Sequence, residues 1–283
     1  MKKDLTILIV GTADTKADEM LFMRQCIEEQ GAQAIIMDVG VIGEPTFPPE
    51  LSKHDVAAAA GMNIQKIIDL GDENHAMTKM AEGAVNLALS LYRSGKIHGI
   101  LALGGTMGTD LALDVTAALP LGMPKFIVTT VAYSHLIPPE RLAPDLMMIL
   151  WAGGLYGINS ICRSILSQAA GAVMGACSTV RLVAKDRPKV AIGSLGKSCL
   201  SYMVRLTPEL EKRGYEPVVF HCTGMGGRAM EALIEQGEFV AVFDFALDEV
   251  GNHLHGSVVS AGSSRMEAAA KKGVPQLIAP GAS

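Results

Sequence analysis

The chain has 283 residues, 24 Lys and Arg against 29 Asp and Glu for a formal charge of −5, and is 49% hydrophobic but only 5% aromatic. That length makes one large domain or two modest ones with a core that needs no disulfide or metal staple, and the composition excludes intrinsic disorder and a disulfide scaffold. No block of Lys or Arg interrupts it, so nothing points to a nucleic-acid groove.

Met1-Lys2-Lys3-Asp4 leads into an apolar run that is too short, and too soon acidic, for a signal peptide. Leu5–Val10 reads as a strand covered on both faces, ending at Gly11. Asp18–Gln30 reads as a helix stopped by Gly31, and Ala34–Val39 as the next strand. A proline-punctuated loop, Val41–Asp55, and an Ala-rich stretch to Ala60 precede a long helix over Asn74–Ser94. Ile97–Leu103 is a strand running into Gly104-Gly105-Thr106-Met107-Gly108-Thr109, then a helix to Ala118. Lys125–Thr130 and Leu146–Leu150 follow as strands, and Gly157–Leu182 as an unusually apolar helix. Arg163 and Arg181 break this apolar region, which reads as a buried helix rather than a membrane span.

After the charged break Asp186-Arg187-Pro188-Lys189 the pattern restarts. Strands are expected over Val190–Ser194, Glu216–His221, Phe239–Phe243 and Gln276–Ala279, with helices over Cys199–Arg213, Gly226–Gln236 and Ser263–Lys272. The halves echo each other, and strands alternating with helices imply parallel sheets. The fold expected is α/β: two doubly wound, Rossmann-like lobes over residues 1–184 and 188–283, the second short or truncated. Five cysteines with no Cys-x-x-Cys pair encode neither a zinc ribbon nor a dithiol motif, and free thiols suit a reducing cytoplasm.

Ligands of open parallel sheets gather beyond the carboxyl ends of the strands. Thr12-Ala13-Asp14-Thr15-Lys16 sits at one such end, either as an anion site at a helix start or as plain capping by Asp14 or Thr15. Gly104, Gly105, Thr106, Gly108 and Thr109 offer backbone amides and hydroxyls, which favours phosphate contact over a bare tight turn. His221-Cys222-Thr223-Gly224-Met225-Gly226-Gly227-Arg228 repeats that layout, with Arg228 as an anion partner. Cys222 reads as a packed thiol, since His221 beside it points to the opposite face. Gly193-Ser194-Leu195-Gly196-Lys197-Ser198 fails as a Walker loop because two residues, not four, separate its glycines. Asp244, Asp248, Glu249, His253 and His255 read as solvated loop residues rather than a metal cluster, and Ser260–Arg265 as another anion-holding or capped helix start.

These motifs, with Leu119-Pro120-Leu121-Gly122-Met123-Pro124-Lys125, Gly157-Ile158-Asn159 and Gly273-Val274-Pro275-Gln276, cover nearly the whole chain. Together they resemble the bacterial, archaeal, fungal and plant family similar to the ATP-binding N-terminal region of the tomato mosaic virus resistance protein. The resemblance implies two Rossmann-like lobes, a homodimer and ATP binding, with or without magnesium. Lys197-Ser198-Cys199 and Ala132-Tyr133-Ser134-His135 depart from the family pattern. The leading expectation is a cytoplasmic, ATP-binding protein with phosphates on glycine turns between the lobes. Its rivals are an enzyme for a small carbonyl or phosphorylated metabolite using His221, Glu249 or Cys222, and a dimeric interaction protein joined through Gly157–Leu182. No catalytic residue is assigned, and neither nucleic acid nor membrane is expected as a partner.

Overall fold

The computed structural model describes residues 5–181 and 183–281; the opening Met1–Asp4, Leu182 at the end of the expected apolar helix, and the last two residues lie outside them. The chain divides into two compact units, Met1–Leu182 and Val183–Ser283.

In the first unit five parallel strands lie in the order β2-β1-β3-β4-β5, formed by β1 (Thr6–Gly11), β2 (Gln33–Asp38), β3 (Gly99–Gly104), β4 (Lys125–Thr129) and β5 (Leu146–Leu150). Strands β1, β3 and β4 are buried along their whole length, which explains their unbroken apolar runs. Alternate residues feed two cores. Leu8, Val10, Ala102 and Ile127 pack beneath α2 (Lys53–Ala59), α4 (Glu73–Arg93) and α5 (Thr106–Ala118), with α3 (Ile64–Ile68) beside them. Ile7, Ile9, Leu101 and Val128 pack beneath α1 (Ala17–Glu28) and α6 (Ser160–Thr179). Chain order reverses between β1 and β3, where helices on opposite faces part and leave a crevice at the strand ends.

The second unit has parallel strands β6 (Lys189–Ser194), β7 (Glu216–His221), β8 (Phe239–Ala246) and β9 (Gln276–Gly281) in the order β7-β6-β8-β9. Its helices are α7 (Gly196–Lys212), α8 (Met225–Glu235), α9 (Asp248–Leu254) and α10 (Ala268–Lys272). Both sheets place their first strand between the second and third, which is the physical content of the echo between the halves. The expected fold class is therefore the observed one.

Four helices differ from expectation. The stretch before Ala60 contains α2, whose capping box joins Ser52 and Asp55, and α3 follows it. The segment Asp248–Leu254 is helix rather than loop. The helix expected from Ser263 begins only at Ala268, because Met266 takes φ +78 and Arg265 turns inward. The apolar residues that made α6 look like an interface, among them Leu166, Ala169, Ala170, Val173 and Met174, are buried on the sheet; its outer face carries Ser164, Ser167, Gln168 and Ser178. Among the described residues no helix is long and apolar enough to cross a membrane.

Lys125 explains the Leu119–Lys125 motif. Its fully buried ammonium donates to the Pro120 carbonyl at 2.8 Å and pairs with Asp145 at 2.7 Å, while Gly122 N donates to the same carboxylate at 2.8 Å. Burial lowers the Lys125 pKa and Asp145 pulls it back. Asp145→Ala is expected to cost about 3–5 kcal/mol in denaturant unfolding by stranding a fully buried ammonium, and Lys125→Met less, because the Asp145 carboxylate it leaves keeps the Gly122 amide and some contact with water; equal losses would contradict this.

Candidate functional site

A cavity of about 910 Å³ opens at the β1/β3 crevice. Thr12, Asp14, Thr15 and Lys16 reach it from the turn after β1, and Gly105, Thr106, Met107 and Gly108 from the turn after β3. Gly40, Val41 and Ile42 enter from beyond β2, Ile68 and Gly71 to Glu73 from the approach to α4, Ala76 and Met77 from α4 itself, and Tyr156 from the loop before α6. Every lining residue belongs to the first unit.

Two helices begin here, and their electrostatics differ. Helix α1 carries Asp18 and Glu19 in its first turn, and buried Glu19 accepts from Gly157 N at 2.9 Å, so its positive end is already countered. Helix α5 has Gly105 as its N-cap, with no capping side chain and no acid in the first turn. Its leading amides therefore remain available to an anion. Thr12 and Thr15 hydroxyls bond each other at 2.8 Å, and Lys16 Nζ donates to Thr15 at 3.4 Å, which draws a cation and two hydroxyls to the same rim.

The glycine turn divides by role. A Cβ at Gly104 would lie 2.5 Å from the Gly108 backbone, so Gly104 lets α5 sit on its own strand; a Cβ at Gly105 or Gly108 would meet only ordinary contacts. The Thr109 hydroxyl is buried and bonds Thr129 at 2.6 Å. Gly104 and Thr109, expected as phosphate ligands, are instead packing residues beneath the turn.

Asp38, which the motifs did not single out, shapes the neighbouring wall. Its Oδ1 accepts from Ala13 N and Gly40 N, both at 2.9 Å, tying the β1 turn to the end of β2. Its buried Oδ2 has no partner among the described residues, and neither has Oδ1 of Asp14. Burial raises the Asp38 pKa; the two amides lower it and the Asp14 charge raises it further.

The Thr223–Arg228 turn of the second unit does not form an open anion site. Oε1 of buried Glu249 accepts from Gly224 N at 2.5 Å and from Gly227 N at 3.1 Å, so a carboxylate from the chain fills the start of α8. A Cβ at Gly227 would overlap that carboxylate, and one at Gly226 the His221 carbonyl. Thr223 N donates to the His221 carbonyl at 2.9 Å, and Arg228 donates to the Ser260 carbonyl at 2.9 Å. The expected roles of Thr223, Gly224, Gly226, Gly227 and Arg228 give way to an internal lock. Arg265, read as part of an anion-holding start, is its hub: the guanidinium spans both oxygens of Asp244 at 2.6 and 2.7 Å and reaches Glu249 at 2.9 Å and Glu231 at 3.2 Å. Burial pulls the Arg265 pKa down, but Asp244 and Glu249 more than offset that and hold it above its ordinary value. Burial, aided by the Glu249 charge, pushes the Cys222 thiol up to about 12, and His221 lies exposed on the opposite face. These three side chains do not converge as an acid, base and nucleophile. Among the described residues no three His, Cys, Asp or Glu are placed to hold a metal.

Family models match both units: residues 5–181 match the N-terminal domain, and residues 187–283 the C-terminal domain, of the uncharacterised protein family UPF0261. The chain belongs to UPF0261. A UPF0261 protein of Brucella suis biovar 1 is 60% identical over 276 residues, which cover 98% of this chain and 66% of that relative. The chain thus spans just under two thirds of that relative's length. The ToMV resistance protein Tm-1(GCR237) of Solanum lycopersicum is 29% identical over 98% of this chain and 39% of its own length, in line with the resemblance read from the motifs. The solved structure of Acinetobacter baumannii MurG matches over 96% of this chain and 85% of its own at 13% identity, with a TM-score of 0.30.

Substitutions at two buried acids, one in each unit of this UPF0261 chain, test these environments. An acid whose pKa is raised on folding lends stability below the unfolded carboxyl range and loses it as pH rises through the folded value. Asp38→Asn keeps the accepting Oδ1, so it is expected to melt higher than wild type at neutral pH, with the gap closing in acid; a lower melting temperature at neutral pH contradicts this. In the second unit Glu249→Ala is expected to cost about 2–4 kcal/mol in urea unfolding by leaving the Gly224 and Gly227 amides without an acceptor, while Arg265 keeps Asp244 and Glu231, and Glu249→Gln is expected to cost markedly less. A cost for Glu249→Ala below about 0.5 kcal/mol would show the lock to be dispensable.

Proposed function

We propose that the first unit binds a nucleotide, ATP by the family resemblance, with its phosphates on the amides that open α5. The observation that carries this reading is the cavity of about 910 Å³ into which that uncapped helix start, two Thr hydroxyls and the Lys16 ammonium converge. A helix start with no acid of its own attracts an anion, and the Lys16 ammonium adds one positive charge beside it. The contrast with α1 and α8, whose starts are met by Glu19 and Glu249, supports α5 as the anion's seat. Thr12, Asp14, Thr15, Lys16, Gly105, Thr106 and Gly108 make up the proposed site. Asp14 is the carboxylate of that set for a magnesium ion accompanying the phosphates. The free thiols favour a reducing compartment, the cytoplasm, and the resemblance favours a homodimer.

Calorimetric titration with a non-hydrolysable ATP analogue, with and without magnesium, is expected to give saturable binding. Lys16→Met is expected to weaken it roughly tenfold, the loss of one charge-assisted contact. Absence of binding at millimolar analogue in either condition removes the reading.

A further inference from the structure

We propose that the β2 side of the same cavity receives the base of the nucleotide, with Ile42 as its apolar wall and Lys53 as the positioning residue that holds this wall in place. This rests on the nucleotide reading and specifies the half of the ligand that α5 does not touch.

Strands β2, β1 and β3 are consecutive neighbours, so the loop after β2 stands two interstrand spacings, about 10 Å, from the opening of α5. A nucleotide covers such a span between its phosphates and its base. On that side the cavity presents Ile42, which is 83% exposed, while Ile68 and Met77 also line it. A single exposed isoleucine is unremarkable when it rides on a mobile loop. This one does not. The side chain of Lys53, itself 3% exposed, reaches beneath the loop and donates from Nζ to the Gly43 carbonyl at 2.7 Å and the Ile42 carbonyl at 3.4 Å. Glu44 pairs with the same ammonium at 2.7 Å, and a Cβ at Gly43 would lie 2.5 Å from the Asp14 carboxylate, so the loop is clamped on both sides.

Burying a lysine is costly, and here the cost holds still a strip of backbone whose outward side chain is apolar. A preorganised apolar wall over a cavity suits a flat ring, which regains hydrophobic free energy without an ordering cost. Asp72 and Glu73 also line the cavity, at the head of α4. Their charge turns phosphates toward α5 and Lys16, and carboxylates are ready acceptors for sugar hydroxyls. A purely anionic ligand makes no use of the Ile42 wall; a nucleoside phosphate uses both ends.

The test compares ATP, ADP, AMP and inorganic tripolyphosphate on wild type, Ile42→Asn and Lys53→Met by calorimetry. Ile42→Asn changes an exposed side chain and keeps the fold; Lys53→Met removes the clamp, leaves its ion-pair partner Glu44 in water, and leaves Asp38 held by the Ala13 and Gly40 amides. Each is expected to weaken ATP, ADP and AMP by a similar factor, about fivefold or more, while tripolyphosphate binding stays within about twofold. Variants that bind ATP as wild type does, or that lose ATP and tripolyphosphate equally, overturn the proposal. A wild type that binds tripolyphosphate as tightly as ATP also overturns it and leaves the phosphate site standing. A wild type that binds none of the four overturns both readings.

Discussion

Where a strand hands over to a helix in a parallel sheet, the helix opens with backbone N–H groups that have no partner inside it. Each unit of this protein must find acceptors for those groups, and the choice of acceptor separates structure from site. Helix α6 takes Asn159, and α4 takes Asp72. Helix α8 takes Glu249, sent back from the far side of β8. Helix α5, alone among the starts lining the large cavity, is given neither a capping side chain nor a first-turn acid among the described residues.

The lock in the second unit shows what filling such a start requires. A carboxylate placed against amides away from water needs a second source of positive charge, and Arg265 supplies it. One guanidinium then faces Asp244, Glu249 and Glu231 together, and the excess negative charge is spread over more backbone amides: those of Gly224 and Gly227 on Glu249, and those of Met266 and Ala268 on Glu231. Drawing Arg265 inward forces Met266 into the left-handed region and delays α10 by a turn. The irregular chain between α9 and α10 is the local consequence of that buried charge.

Much of the fold was legible because its signals are local. Apolar runs such as Leu5–Val10 and Ile97–Leu103, ended by glycine, announce strands buried on both faces, and their alternation with helices fixes parallel pairing. Half of the cavity was legible for the same reason: Thr12–Lys16 and Gly105–Gly108 sit at strand ends, where such sheets bind ligands. The other half was not. Ile42, Ile68 and Met77 look like ordinary apolar residues, and only the strand order brings them to the same opening. Asp38 left a readable trace as an acid closing an apolar strand, but its bonds to Ala13 and Gly40 depend on tertiary contact. Glu249 reads from sequence as a solvated loop acid, because the amides that bury it lie 22 and 25 residues away.

A glycine at a strand end therefore carries two opposite meanings that spacing does not separate. Gly104, Gly226 and Gly227 are glycine because backbone or a carboxylate already occupies the place of a side chain. Gly105 and Gly108 have ordinary room around them, so close packing is not what excludes a side chain there. That room agrees with the proposed approach of an anion to the amides they leave bare. The two turns look alike as strings of glycine and threonine, and an acid returning from elsewhere in the chain is what closes one of them. For that reason the argument for a ligand attaches to α5, whose uncapped start opens into the large cavity, and not to α8.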